Sequence, residues 1–221
     1  MNVLISASIL SADLGRLTDE IARVAEGGAD MIHIDVMDGQ FVPPITFGAN
    51  AVAVARRATE LPLDVHLMVD GPERHIDDFA DAGATLFTFH AEATRHVQRH
   101  LQTVRERGMR AGLALNPSTP LSVAEEVVND LDLLLIMTVN PGYPGQQYLP
   151  ASTAKIARAR AMLDRHRRDA RLAVDGGIGP GTIDDAFGAG ADTFAAGSSV
   201  FGADDPAAAI SELRRRCAVT V

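Results

Sequence analysis

Short apolar runs alternate along this chain with longer amphipathic ones, and no shift of composition marks a linker between them. The apolar runs predict strands over 3–8, 31–36, 63–67, 86–89, 111–115, 133–138, 172–174 and 193–196. Helical spacing of apolar residues predicts helices over 14–26, 49–59, 76–82, 97–107, 123–129, 152–168, 182–189 and 207–216. Several of these close on Gly-Ala before the next strand, as at Gly28-Ala29, Gly83-Ala84 and Gly190-Ala191. Glycine is favoured there because it accepts the positive φ of a helix end. Eight βα units in 221 residues predict an α/β protein, a (β/α)₈ barrel spanning the chain as a single domain. An open doubly wound sheet is the alternative. The turn after the first strand, Ser8-Ile9-Leu10-Ser11, lacks the glycine-rich fingerprint such a sheet would use for a dinucleotide.

In a barrel of this kind chemistry gathers at the C-terminal strand ends. The strand at 31–36 places His33 and Asp35 on one side and Ile32, Ile34 and Val36 on the other, because side chains alternate along a strand. Other strand ends offer Ser8, Asp64, His66, His90, Glu92, Asn116 and Asp175. His33, Asp35, His66 and Asp175 together make a nitrogen–oxygen ligand set suited to one divalent ion of Zn, Fe, Mn or Co. Such an ion would polarise a carbonyl. Asp35 and Asp175 reach the axis from different strands, an arrangement suited to taking a proton from one face of a flat intermediate and returning one to the other. Met37, Met68 and Met137 lie at or just past strand ends, where they are either core filler or an apolar wall that excludes water.

Two further groups of residues point to an anionic ligand. Asp175-Gly176-Gly177 and Gly197-Ser198 follow the seventh and eighth strands, the usual phosphate position of this barrel. Backbone N–H groups there can approach a phosphate closely, helped by the N-terminus of a short helix at 199–201. The run Asn140-Pro141-Gly142-Tyr143-Pro144-Gly145-Gln146-Gln147-Tyr148 reads as an ordered loop able to fold over a ligand as a lid.

Composition narrows the partners. The net charge is −9 and Lys155 is the only lysine, which argues against nucleic acid and leaves backbone groups to bind a small anion. Lys155 falls on a predicted outer helix, which disfavours Schiff-base chemistry. Cys217 is the only cysteine, so a reducing cytoplasm is the default location. No leader-like start and no apolar stretch of about 18 residues is present, so no membrane partner is expected.

The segments SILSAD (8–13), HIDVMDGQFVP (33–43), DVHLMV (64–69), FHAEA (89–93), GLALNPST (112–119), MTVNPGYPGQ (137–146), VDGGI (174–178) and AGSSVF (196–201) carry a resemblance to the ribulose-phosphate 3-epimerases over almost the whole chain. The resemblance implies a cytoplasmic enzyme of carbohydrate metabolism, in the pentose phosphate pathway, that interconverts D-ribulose 5-phosphate and D-xylulose 5-phosphate by inverting C3 through an enediolate. It implies that His33, Asp35, His66 and Asp175 hold one divalent metal and that Asp35 and Asp175 are the acid–base pair. Ser8, His66, Gly142, Tyr143, Pro144, Gly145, Asp175, Gly176, Gly177, Gly197 and Ser198 would contact the sugar phosphate, beside Met37, Met68 and Met137. It also implies a homo-oligomer. The chain departs from the family at Tyr143, usually phenylalanine, at Pro144, usually glycine, and at Pro44, where asparagine is common. A 3-epimerase of a hexulose phosphate such as D-allulose 6-phosphate, a metal-dependent hydrolase, and a non-catalytic sugar-phosphate binder are the competing readings.

Overall fold

The computed structural model describes residues 2–166 and 169–218. Its strands are β1 (Leu4–Ser8), β2 (Met31–Met37), β3 (Leu63–Met68), β4 (Leu86–His90), β5 (Arg110–Leu115), β6 (Leu133–Met137), β7 (Arg171–Asp175) and β8 (Thr193–Ala196). They close in sequence order into a barrel in which neighbours run parallel. The intervening helices are α1 (Leu17–Glu26), α2 (Ala49–Ala58), α3 (Ile76–Asp81), α4 (Val97–Glu106), α5 (Ser122–Glu125), α6 (Ala151–His166), α7 (Ile183–Gly188), α8 (Ser198–Phe201) and α9 (Pro206–Arg216). This is the (β/α)₈ barrel expected from the alternation of runs.

Two of the predicted helices are broken by 3₁₀ turns. The one over 14–26 opens as a separate 3₁₀ turn, Leu14–Arg16, where the Asp13 carboxylate accepts a hydrogen bond from the Gly15 N–H. The one over 123–129 breaks into α5 and a 3₁₀ turn at Val128–Asp130. Val127, Val128 and Asn129 are weak helix formers, and so short a segment cannot outweigh them. Positions 167 and 168 of the predicted sixth helix lie outside the described residues. Among the described residues, no helix is long and apolar enough to cross a membrane.

Strand alternation builds two separate cores. Ile5, Ala7, Ile32, Ile34, Val36, Val65, Leu67, Phe87, Phe89, Leu134, Ile136 and Phe194 pack in one cluster between strands and helices. Inside the barrel a second, smaller apolar cluster holds Leu86, Ala114, Leu133, Leu135, Met137, Val139 and Ala173, which come chiefly from β4 to β7. The other half of the interior is polar: Ser6, Ser8, His33, Asp35, Asp64, His66, Thr88 and His90 are all buried. Register sets their levels, pairing Ser8 with His33, His33 with Asp64, Asp35 with His66, and Met137 with Asp175.

The interior also explains one small residue. Gly112 on β5 pairs with Thr88 on β4, and a Cβ at 112 would lie 2.1 Å from Thr88 Oγ1. Gly112→Ala is therefore expected to destabilise the barrel by about 1–3 kcal/mol, the usual cost of overpacking a core. Urea denaturation would measure it. Adding Thr88→Ala, which removes Oγ1 but leaves the Thr88 Cβ 2.9 Å away, should recover only part of the loss, and unchanged stability in Gly112→Ala alone would contradict the steric account.

Candidate active site

The C-terminal ends of β1, β2, β3 and β7 bring Ser8, His33, Asp35, His66 and Asp175 together. One donor atom each from His33, Asp35, His66 and Asp175 lies within 4.8 Å of every other, so the group could hold a metal ion. Asp35 is the hub. Its Oδ2 accepts the Ser8 hydroxyl at 2.7 Å, while its Oδ1 meets His33 Nε2 at 3.1 Å and His66 Nδ1 at 3.0 Å. Asp175 Oδ2 stands 3.6 Å from the same His66 nitrogen. Behind His33, its Nδ1 meets Asp64 Oδ2 at 2.7 Å, and that oxygen also accepts the Ser6 hydroxyl at 3.2 Å.

Burial and neighbours push the two acids of the cluster in opposite directions. Burial opposes charge on Asp35, but His33 and His66 outweigh it and hold the carboxyl far below the usual range. Asp175 is pushed up to about 6, by burial first and then by the charge of Asp35. Burial also opposes charge on His33, yet Asp35 and Asp64 raise its pKa well above the ordinary value. Such a cluster shares protons among ligands that a cation would displace. Two imidazole nitrogens and two carboxylate oxygens, with no thiolate, make a donor set that zinc, iron, manganese and cobalt all accept. Asp64 supplies the carboxylate that such sites place behind a ligating histidine to fix its tautomer.

A cavity opens directly above this group. Ser8, Asp35 and Asp175 line it, as do Met37, Met68 and Met137, residues 141–146, Gly176, Gly177, Gly197 and Ser198. His33 and His66 are not on the lining; both are buried behind Asp35, at 1% and 0% exposure. Contact between His66 and an organic ligand would have to pass the carboxylates, whereas an ion at the cluster meets it directly.

The turn after β7 is shaped by what it packs against. Gly177 has φ +66°, and a Cβ there would lie 2.4 Å from the Tyr148 backbone nitrogen. Only glycine permits that conformation and that contact, which leave the turn's backbone bare toward the cavity. Across from it, Gly197 caps α8, a helix of four residues. The loop after β6 is stiffened from within, because the Gln146 amide donates to the carbonyls of Asn140 at 2.7 Å and Tyr143 at 3.0 Å. Pro144 faces the cavity and has no N–H to offer, while Tyr143, 58% exposed, stands at the rim.

The pattern of the ribulose-phosphate 3 epimerase family matches this chain over residues 4–201. The chain belongs to that family. It is 49% identical over 211 residues to the ribulose-phosphate 3-epimerase of Bacillus subtilis (strain 168), covering 95% of this chain and 97% of that one. It is 44% identical over 216 residues to the ribulose-phosphate 3-epimerase of Escherichia coli (strain K12), covering 97% and 96%. Among solved structures, KGPDC from Streptococcus mutans superposes with a TM-score of 0.72 at 15% identity, over 99% of this chain and 98% of that one. That likeness reflects the barrel alone. The protein is thus an epimerase, an isomerase by class, which retires the hydrolase and non-catalytic readings.

In the sequence of this epimerase Asp64 stands at a strand end with no evident task, and nothing there singles out Leu10, Ser11 or Val139, which also line the cavity. Asp64 lies two residues before His66 on the same strand, so alternation alone puts both inside. Its partnership with His33 depends on the stagger between β2 and β3. Asp64→Asn is expected to weaken divalent-metal binding by roughly 10–100-fold, the usual effect of losing the group behind a ligating histidine. Calorimetric titration of the metal-free epimerase would measure it, and an unchanged affinity would remove Asp64 from the site.

Proposed function

We propose that this epimerase interconverts D-ribulose 5-phosphate and D-xylulose 5-phosphate by inverting C3, with one divalent metal held by His33, Asp35, His66 and Asp175. The observation that carries this reading is the position of the two acids. Asp35 and Asp175, from strands on different sides of the barrel mouth, both line the cavity whose rim is formed by Gly176, Gly177, Gly197 and Ser198. A phosphate held by the backbone at that rim leaves its sugar carbons lying over the carboxylates.

With net charge −9 and a single lysine, the chain would bind the phosphate through main-chain N–H groups of the two glycine turns and the start of α8. The ionised Asp35 takes the C3 proton from one face. Asp175, which holds a proton more readily, delivers one to the other face of the enediolate, and the two exchange roles in the reverse reaction. Ser8 donates to Asp35 Oδ2 and so fixes the direction of its lone pairs. A divalent ion among these ligands would supply Lewis-acid stabilisation of the negative charge that develops on the substrate's oxygens. Met37, Met68 and Met137 present an apolar surface to the same cavity and limit the water that could quench a carbanion. Residues 141–146 close over the bound sugar.

Pro144 on the cavity lining supports a second reading, a hexulose phosphate as the preferred substrate, since it changes the wall against which the sugar chain lies. One assay separates the possibilities. In deuterium oxide, ribulose 5-phosphate should take up deuterium at C3 as xylulose 5-phosphate forms. Asp35→Asn and Asp175→Asn should each lower kcat by about 10²–10⁴, the range for losing a general acid or base. Absence of label at C3, or full activity in either variant, would defeat the acid–base assignment. A higher kcat/KM on D-allulose 6-phosphate would replace the pentulose with the hexulose.

A further inference from the structure

The far side of His66 carries a chain of groups for which the reaction has no evident use. His66 Nε2 meets His90 Nε2 at 2.9 Å, and His90 Nδ1 meets Glu92 Oε2 at 3.2 Å. Both histidines are fully buried, their rings 5.1 Å apart and nearly parallel, with Phe41 packed on His90 at 4.8 Å. The other oxygen of Glu92 accepts the Asn116 backbone N–H at 2.8 Å and the Thr119 hydroxyl. The loop that supplies those donors is pinned in turn. From α6, Lys155 donates to the Asn116 carbonyl at 2.5 Å and reaches the Pro117 carbonyl at 3.4 Å.

Donor and acceptor arithmetic gives this chain a direction. An ionised carboxylate only accepts, so His90 Nδ1 must carry a hydrogen. A neutral imidazole has one N–H, so His90 Nε2 is then bare and can only accept. His66 Nε2 must therefore donate, so a cation that displaces the hydrogen held between His66 Nδ1 and Asp35 Oδ1 finds the Nδ1 lone pair free to bind it. Burial opposes charge on Glu92, but hydrogen bonds from His90, Thr119 and the Asn116 N–H bring it down to about 2.

We propose that Glu92 and His90 are positioning residues that dictate the tautomer of His66, presenting Nδ1 rather than Nε2 to the cation. Neither touches substrate or metal; both act through His66. The inference rests on the metal site of the preceding section and adds to it the reason His66 binds with that nitrogen.

The decisive variant is Glu92→Gln, nearly identical in shape. The Asn116 N–H and the Thr119 hydroxyl both need an acceptor, so the amide oxygen stays with them and the NH₂ turns toward His90. His90 must then accept at Nδ1 and donate from Nε2, which forces His66 Nε2 to accept and moves its proton to Nδ1. Two readouts follow. By nitrogen-15 correlation spectroscopy on the metal-free protein, the parent should show His90 protonated at Nδ1 alone, and Glu92→Gln should show it at Nε2. By chelator competition, Glu92→Gln should bind Zn²⁺ roughly 10–100-fold more weakly, the scale set by loss of outer-shell partners. His90 protonated at Nε2 in the parent would overturn the proposal without any variant, and so would an unshifted zinc affinity in a folded Glu92→Gln protein. A parent that binds no zinc at all would instead refute the metal reading itself, and the two failures are distinct.

Discussion

A buried carboxylate at the mouth of the barrel, Asp35, is the constraint around which the rest is arranged. It is 3% exposed and almost withdrawn from water, so its charge must be met chiefly by protein groups or by a cation. Ser8, His33 and His66 converge on its two oxygens, and each of these comes from a different strand or a different level of one strand. Asp64 and His90 then satisfy the outer nitrogens of the two histidines. Thr88 apart, whose hydroxyl has no hydrogen-bond partner among the described residues, the polar half of the interior is thus a single network rather than a scatter of buried polar residues.

The barrel tolerates this network because the remaining interior is apolar and the outer core is large. Leu86, Ala114, Leu133, Leu135 and Ala173 fill the space on the side of β4 to β7, where Gly112 makes room for Thr88. The helices rest on a separate layer of Ile, Leu, Val and Phe side chains, so the site's electrostatics and the barrel's packing occupy different faces of the same strands. The cavity draws both its features from the inward face: acids from β2 and β7, and methionines from β2, β3 and β6 beside them.

Much of this was legible in the residues themselves. The period-two alternation of His33 and Asp35 against Ile32, Ile34 and Val36 tells inside from outside, and the count of βα units gives the closed sheet. Barrel geometry then assigns meaning to the strand ends, which is why the four clustered groups could be named together. What the residues could not convey is stagger. That His33 faces Asp64, and that His66 reaches His90, follows from the offset between adjacent strands, a property of the whole barrel rather than of any segment. Lys155 shows the same limit, for its helix was foreseen but not the reach of its amine to the loop after β5. The helix expected over 123–129 fails for a local reason, since its apolar spacing is helical but its β-branched pair, Val127 and Val128, breaks it.

The claim on which everything turns is that two imidazoles and two carboxylates share one divalent ion. Crystals loaded with one equivalent of zinc, measured on either side of the zinc absorption edge, test it directly. The account predicts a single strong anomalous peak at about 2.0–2.2 Å from a nitrogen of His33 and of His66 and from an oxygen of Asp35 and of Asp175. A peak bound by other residues, or none at this cluster, would contradict it.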